Sequence, residues 1–207
     1  MRKISCNCGE SFDADLPEEI DGELEPEKWQ EILSGEFMTV ECPNCGYALK
    51  PDLPFHLKHS KLGIDLYYIP ELDRSKAMTG KLPYSTADAK ELVVGYPELV
   101  ERLTLVDQGL DPRAIEVLKY SLFSSAFDTT EEEEGEVRIL FHNLENDKLV
   151  FYIEGLKKKE IGVSSIPLDT YKKITENLNE ILKKEPFVSL LSPPYVSVNK
   201  IYSEDQF

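Results

Sequence analysis

Cys42-Pro43-Asn44-Cys45-Gly46 and the similar segment Cys6-Asn7-Cys8-Gly9 contain all four cysteines of the chain. Two short cysteine pairs, each followed by a glycine, are typical of two zinc knuckles that hold one metal ion between them in a zinc ribbon. Each glycine suits its turn, because backbone N–H groups must point at the thiolate sulfurs and the next residue then tends toward positive φ. We therefore predict one zinc ion with these ligands: Cys6, Cys8, Cys42 and Cys45.

The first cysteine pair has a shorter turn than the second. One residue separates Cys6 from Cys8, whereas two residues separate Cys42 from Cys45, and the first turn also lacks the proline. Two sulfurs can still reach one tetrahedral ion when the turn between them is tight, so both cysteines stay in the predicted ligand set. The alternative is that only one member of the first pair binds the metal.

Histidines offer a second candidate ligand set. Its members follow the order of a two-cysteine two-histidine finger: Cys42, Cys45, His56 and His59. Both spacings are shorter than in that motif, and Pro51 and Pro54 interrupt the segment where a helix should begin. We therefore expect His56, His59 and also His142 to be surface or hydrogen-bonded residues rather than ligands.

The composition indicates a globular protein, and we expect it to be in the cytoplasm. The chain has 207 residues, of which 41% are apolar, enough for one large or two small domains with a buried core. No apolar run approaches the roughly 20 residues that cross a bilayer, and the start lacks the apolar stretch of a signal peptide, so we expect no membrane segment. Thiols stay reduced in the cytoplasm, which favours a bound metal over disulfides.

The net charge of −16 bears on the partners of the protein. Nucleic-acid binding draws most of its affinity from Lys and Arg side chains that neutralise phosphates, and an acidic chain repels a polyanion. The same argument disfavours an anionic membrane surface. A zinc ribbon alone would suggest nucleic acid, so binding through a locally basic surface stays the alternative. We expect the partner to be another protein.

A helix is predicted between the two cysteine pairs. Pro26 suits its first position, Trp29 and Ile32 belong to its apolar face, and Gly35 is a stop signal. Leu24 precedes the N-cap position, where we expect it to pack against Trp29 as a hydrophobic staple. The two halves of the predicted ribbon are thus separated by a helical insert.

Two further helices are predicted after a short strand at residues 91–95. The first opens at Pro97 and ends at Gly109, and the second is capped by Asp111. Apolar residues recur along both at helical spacing: Leu99, Val100, Leu103, Val106, Ile115, Leu118 and Leu122. We expect this stripe to form core rather than a groove for a partner.

Several segments together point to a known family. They are residues 6–9, Leu33-Ser34-Gly35-Glu36-Phe37, the Cys42 to Gly46 knuckle, Leu66-Tyr67-Tyr68-Ile69-Pro70, and the phrase from Gly109 to Lys119. Through them, residues 1–125 resemble the CpXC domain family of bacteria and archaea. The resemblance implies a zinc-ribbon-like metal site, and the family has no established biochemical activity to carry over.

Residues 128–136, Asp-Thr-Thr-Glu-Glu-Glu-Glu-Gly-Glu, are predicted to form an acidic linker. Consecutive like charges repel one another and bury nothing, so such a segment stays solvated. The linker divides the chain into a zinc-ribbon domain with a helical extension at 1–127 and a small α+β domain at 137–207.

The second domain is predicted to contain a small antiparallel sheet. Strands are expected at 137–142, 149–154 and 161–166, followed by a helix capped by Asp169 and a last short strand at 195–198. Both faces of the first two strands are apolar, so we expect the sheet to be covered on both sides.

The predicted fold class is α+β: an N-terminal zinc ribbon with a helical insert and two short helices, followed by a small unit of antiparallel sheet and helix. Zinc held by four thiolates has no open position for water or substrate. Motifs such as His-Glu-x-x-His and Gly-x-Ser-x-Gly do not occur in the chain. We therefore predict a structural zinc in a protein-interaction or regulatory module. A metal-dependent enzyme is the less favoured alternative, since it would need an open coordination position.

Overall fold

The computed structural model describes residues 1–86, 89–127, 137–157 and 160–200. The strands are β1 (Arg2–Ser5), β2 (Ser11–Ala14), β3 (Glu19–Asp21), β4 (Val40–Glu41), β5 (Ala48–Leu49), β6 (Phe55–His59), β7 (Ile64–Ile69), β8 (Glu91–Val94), β9 (Arg138–Glu145), β10 (Lys148–Lys157) and β11 (Glu160–Pro167). The helices are α1 (Pro26–Ser34), α2 (Arg74–Met78), α3 (Tyr96–Asp107), α4 (Pro112–Phe127), α5 (Leu168–Ile181) and α6 (Phe187–Leu190). The described part of the chain is therefore a mixed α+β protein, as expected.

A four-stranded sheet in the order β3-β6-β7-β8 lies at the centre of the first half. The β6–β7 pair is antiparallel, whereas β3–β6 and β7–β8 are parallel. Successive side chains of a strand point to opposite faces. One face packs on α1 and α3 through Leu57, Leu66 and Tyr68, and the other carries Ile69 and Leu92 into a smaller cluster.

The helical insert is confirmed, and the hydrophobic staple is wrong. Gly35 ends α1 with a φ of 76°, and the buried residues of this helix include Trp29. Leu24 is 78% exposed. Trp29 has other neighbours: a Cβ on Gly22 would lie 2.7 Å from its ring, and the His59 ring centroid is 5.2 Å away. Trp29 therefore packs against Gly22 and His59 rather than against Leu24.

The two later helices are confirmed, with Gly109 at a φ of 66° between them. Most of the predicted stripe is core: Leu99, Leu103, Ile115 and Leu118 are buried, whereas Val100, Val106 and Leu122 are only partly buried. The cap at Asp111 is also present, since the carboxylate accepts the backbone N–H of Arg113 at 2.9 Å.

Strands β9, β10 and β11 form an antiparallel sheet in the order β11-β10-β9. Asn146 and Asp147 join the first two with φ values of 49° and 57°, which fits a tight hairpin turn. One face of this sheet packs on α3 and α4 in a shared core: Leu105, Leu110, Ile115, Leu118, Val137, Ile139, Phe141, Leu149, Phe151 and Ile153. The expectation of cover on both faces is wrong, because Ile161 and Val163 are 58% and 68% exposed.

The C-terminal helix and tail differ from the prediction in two details. Because β11 continues to Pro167, that proline is the N-cap of α5 and Asp169 lies inside the first turn. The expected strand at 195–198 is instead a single bridge from Tyr195 to Leu92. The Tyr195 hydroxyl donates to Glu98 at 2.9 Å, so the tail is attached to the first half of the protein rather than to the second sheet.

The predicted acidic linker at 128–136 lies outside the described residues, and the domain boundaries on either side of it stay a prediction. None of the helices in the described ranges has both the length and the apolar character needed to cross a membrane.

Candidate metal centre and neighbouring cavity

Each cysteine pair lies at the end of a short antiparallel hairpin. The first hairpin is β1–β2, in which Ser5 is opposite Ser11. The second is β4–β5, in which Glu41 is opposite Ala48. A hairpin brings the ends of its two strands together at the turn, so the fold presents both cysteine turns as exposed tips next to each other.

The two turns are closed by the same hydrogen bond despite their different lengths. The backbone N–H of Cys6 donates to the carbonyl of Glu10 at 2.8 Å, and that of Cys42 donates to the carbonyl of Tyr47 at 2.9 Å. In each turn, the acceptor is the residue that follows the glycine. The two turns are therefore equivalent at their base.

The missing residue of the first turn is absorbed within the loop. The N–H of Gly9 donates to the carbonyl of Cys6, three residues earlier, whereas the N–H of Gly46 donates to that of Cys42, four residues earlier. Both glycines have positive φ, 91° and 71°, as the sequence predicted. A tighter turn thus brings the first cysteine pair into the same arrangement as the second.

The four sulfur atoms converge on one point. The Sγ atoms of Cys6 and Cys45 are 3.7 Å apart, as are those of Cys8 and Cys42, and all four lie within 4.8 Å of one another. A tetrahedral ion with Zn–S bonds of about 2.3 Å requires sulfurs about 3.8 Å apart, whereas a disulfide requires about 2.05 Å. The distances therefore fit a metal ion and not a disulfide.

Backbone and side-chain donors surround the sulfurs. The N–H groups of Glu10 and Tyr47 reach the sulfurs of Cys8 and Cys45, and the Asn44 amide donates to Cys8 at 3.7 Å. The Glu10 and Asn44 donors lower the pKa of the Cys8 thiol from 9.0 to about 6. Donors of this kind stabilise a thiolate, which is the form that binds a metal.

The thiols also affect one another. The backbone N–H of Cys8 lowers the pKa of Cys6, but burial and hydrogen bonds with the neighbouring thiols outweigh it and raise that pKa to about 12. Four thiolates this close repel one another, so their joint deprotonation requires a compensating positive charge. A divalent cation supplies that charge.

The histidines are placed elsewhere. His56 is buried in β6, with Nε2 2.7 Å from a carboxylate oxygen of Asp65, and the His142 ring stacks on Tyr152 at 4.2 Å. Among the described residues, the four cysteines are the only group of three or more potential ligands that could hold an ion. The alternative set with two histidines is therefore not assembled.

Below the second hairpin lies a cavity of about 220 Å³ that the sequence did not predict. Its lining includes four aromatic residues and two charged residues: Phe37, Phe55, Tyr68, Tyr96, Lys50 and Asp52. The Tyr68 hydroxyl donates to Asp52. Burial and this carboxylate raise the pKa of Tyr68 well above its ordinary value, so the phenol remains a donor.

The structure also contains a buried ionic cluster that the sequence did not predict. The ammonium of Lys119 lies between the carboxylates of Glu101 and Glu116, and all three side chains are buried. The only signal in the sequence is the three-residue spacing of Glu116 and Lys119 on one helix, which is equally typical of a solvated surface pair.

These observations define a mixed α+β protein with a four-cysteine cluster that can hold a metal ion. The chain belongs to the CpXC protein family, whose sequence model matches residues 4–119, more than half of the chain. It is also similar to an uncharacterized protein of Treponema pallidum (strain Nichols), with 20% identity over 222 residues that cover 99% of this chain and 100% of the relative. No solved structure matches the chain.

Proposed function

We propose that Cys6, Cys8, Cys42 and Cys45 bind one zinc ion as a zinc ribbon, and that the protein is an interaction module of the cytoplasm. The observation that carries this proposal is the convergence of four sulfurs from two hairpins. Zinc is the natural occupant, because it favours tetrahedral sites made of thiolates. In the reducing cytoplasm these cysteines stay available as ligands.

The zinc has a structural role in this proposal. Four thiolates complete its coordination and leave no position for a substrate or a reactive water. Strands β4 and β5 are only two residues long, so an ion that joins the hairpin tips stabilises a segment with little pairing of its own.

The partner that best fits the chain is another protein. A net charge of −16 opposes binding to nucleic acids and to anionic membranes. The same charge increases the rate of association with a partner that carries a complementary basic surface.

Native mass spectrometry of the protein purified without added metal tests the zinc proposal. We expect one zinc per chain. The mass of the complex should be lower than the sum of the metal-free protein and the zinc ion by the mass of the protons that the thiols release. Cys8→Ser should lower the zinc affinity by more than the roughly 10–100-fold typical of residues that only support a ligand. Ser11→Ala is the matched control, because Ser11 lies opposite Ser5 beside the same turn, and within the described residues its side chain bonds only that of Ser5. Unchanged affinity in Cys8→Ser removes Cys8 from the ligand set.

Crosslinked capture of the tagged protein from its own cell extract, with and without nuclease, tests the interaction role. We expect a specific protein that remains bound after nuclease treatment. Loss of every co-purifying species after nuclease would instead establish a nucleic-acid-associated regulator.

A further inference from the structure

The cavity below the second hairpin has aromatic walls. The rings of Phe37 and Phe55 lie 5.1 Å apart, those of Phe55 and Tyr68 lie 5.0 Å apart, and those of Tyr68 and Tyr96 lie 6.3 Å apart. Aromatic faces carry a negative quadrupole that attracts cations as well as apolar groups. Phe37, Phe55 and Tyr68 are buried, so the half-buried Tyr96 offers the ring most open to a group that combines an apolar stem with a positive charge.

The size of the cavity limits the occupant. Its volume of about 220 Å³ is below the roughly 300–1,000 Å³ of pockets that hold drug-sized ligands. A nucleotide or a cofactor is therefore too large, whereas a single side chain fits.

A carboxylate with a free oxygen marks the lining. Asp52 is exposed, and its Oδ1 atom accepts the hydroxyl of Tyr68. Among the described residues, no donor reaches its second oxygen, Oδ2. Because Tyr68 fixes the orientation of this carboxylate, Oδ2 is a positioned acceptor for a ligand.

The positively charged residue in the lining, Lys50, already has a hydrogen-bond partner. Lys50 donates from its ammonium to the carbonyl of Gly35 at the C-terminal end of α1. The negative end of a helix dipole offsets part of such a charge. Asp52 is therefore the charge that is open to a ligand.

The backbone of the cavity wall is strained at one position. Met38 lines the cavity with a φ of 59°, in the left-handed region that residues with a side chain rarely adopt. Such strain costs of order 1–3 kcal/mol and is found preferentially at binding and catalytic sites. Met38 lies in the turn between α1 and β4, where it forms part of the cavity wall.

We propose that this cavity binds an arginine side chain presented by a partner protein. The guanidinium stacks on aromatic rings and pairs with a carboxylate through two parallel hydrogen bonds, which matches the combination of the aromatic wall and Asp52. The net charge of −16 attracts a basic partner to this surface. The inference rests on the proposed interaction role and names the chemistry that the partner supplies.

Titration of the full-length, zinc-loaded protein with three capped pentapeptides tests the proposal. The central residue is arginine, leucine or glutamate, and the others are glycine. Binding is followed by 1H–15N NMR at the amides of Met38 and Leu53, which both line the cavity. We expect saturable shifts with the arginine peptide and none with the glutamate peptide.

Two variants with opposite expected effects identify the charge that the site recognises. Asp52→Asn keeps an acceptor for Tyr68 but loses the charge, so it should weaken binding of the arginine peptide about tenfold. Lys50→Gln removes a repulsive charge and should strengthen binding by about two- to threefold. Asp15→Asn removes the same charge as Asp52→Asn, but from an exposed residue outside the lining. It should therefore have no effect on binding of the arginine peptide.

Equal binding of the leucine peptide, or an unchanged affinity in Asp52→Asn, overturns the proposal. So does tighter binding of the glutamate peptide. A partner found by crosslinked capture while the arginine peptide fails to bind would reject the arginine site and leave the interaction role standing.

Discussion

The ammonium of Lys119 lies 2.9 Å from a carboxylate oxygen of Glu101, and the two side chains are 0% and 5% exposed. The same ammonium lies 2.7 Å from Glu116. Each carboxylate uses its other oxygen for a backbone N–H from a distant part of the chain: Phe141 of β9 donates to Glu101, and Val198 of the tail donates to Glu116. The buried ammonium of Lys119 therefore fixes the two carboxylates that accept hydrogen bonds from β9 and from the C-terminal tail.

Removal of this cation should strongly destabilise the protein. In Lys119→Met, two buried carboxylates lose their counter-charge, which typically costs 3–5 kcal/mol, about the largest effect of a single substitution. Urea denaturation measures the change in the free energy of unfolding. Lys172→Met is the control, since its pair with Asp169 is exposed and should contribute roughly 0–1 kcal/mol. Similar losses in both variants would contradict a special role for Lys119.

The stability should depend on pH through Glu101. Burial raises the pKa of this carboxyl from 4.5 to about 7, although the charge of Lys119 acts in the opposite direction. The folded protein therefore holds a proton that the unfolded chain has already released, and the contribution of Glu101 to stability falls as the pH rises from about 4.5 to about 7.

Glu101→Gln isolates this effect, because glutamine cannot release the proton. We expect the difference in free energy of unfolding between the natural protein and Glu101→Gln to decrease across this pH window. Carboxyls with lowered pKa values, such as Glu71 and Asp111, lose their stabilisation at lower pH and are common to both proteins. A constant difference from pH 4.5 to 7 would contradict the raised pKa.

The glycine of the second cysteine turn should be required for its conformation rather than for its size. A Cβ on Gly46 would meet no atom within 4 Å, but its φ is 71°. Gly46→Val should therefore cost about 1–2 kcal/mol through the backbone alone. Where folding and metal binding are coupled, that corresponds to roughly a 5–30-fold loss of zinc affinity.

Two controls separate this effect from a general loss of stability. Gly46→Asn should lose much less affinity, because asparagine tolerates positive φ. Gly80 also has a positive φ of 66° and free space around it, but lies away from the cysteines in sequence, so Gly80→Val should leave zinc affinity unchanged. Competition with a chromogenic chelator measures the zinc affinity of the three variants Gly46→Val, Gly46→Asn and Gly80→Val. Equal zinc affinities in Gly46→Val and Gly46→Asn would exclude a conformational role.

Local signals in the sequence predicted much of the fold. Pro26 and Gly35 fixed both ends of α1, and Asn146 with Asp147 marked the hairpin between β9 and β10. The grouping of the four cysteines was predicted from their spacing, because two short cysteine pairs that are each followed by a glycine are typical of one shared site. These features depend on residues a few positions apart, where propensity and turn chemistry dominate.

Features that depend on distant residues were missed. Tyr195 has the alternation of a strand residue, but its partners are Leu92 and Glu98, about one hundred positions earlier. The burial of Lys119 requires β9 and the tail to cover α4, which no local pattern reveals. The cavity likewise appears only when Phe37 and Asp52, on either side of a hairpin, are brought together.

That hairpin links the proposed metal site to the proposed arginine site. Met38 precedes β4 and Asp52 follows β5, so the segment with Cys42 and Cys45 joins two walls of the cavity. We expect chelation of zinc to remove hydrogen-exchange protection from β4 and β5, to leave β6 and β7 protected, and to weaken binding of the arginine peptide. Hydrogen exchange with mass spectrometry, together with peptide titration, measures these effects with and without chelator. Unchanged protection of β4 and β5 after the metal is removed would mean that the hydrophobic core alone holds the hairpin, and the affinity of the cavity should then be independent of zinc.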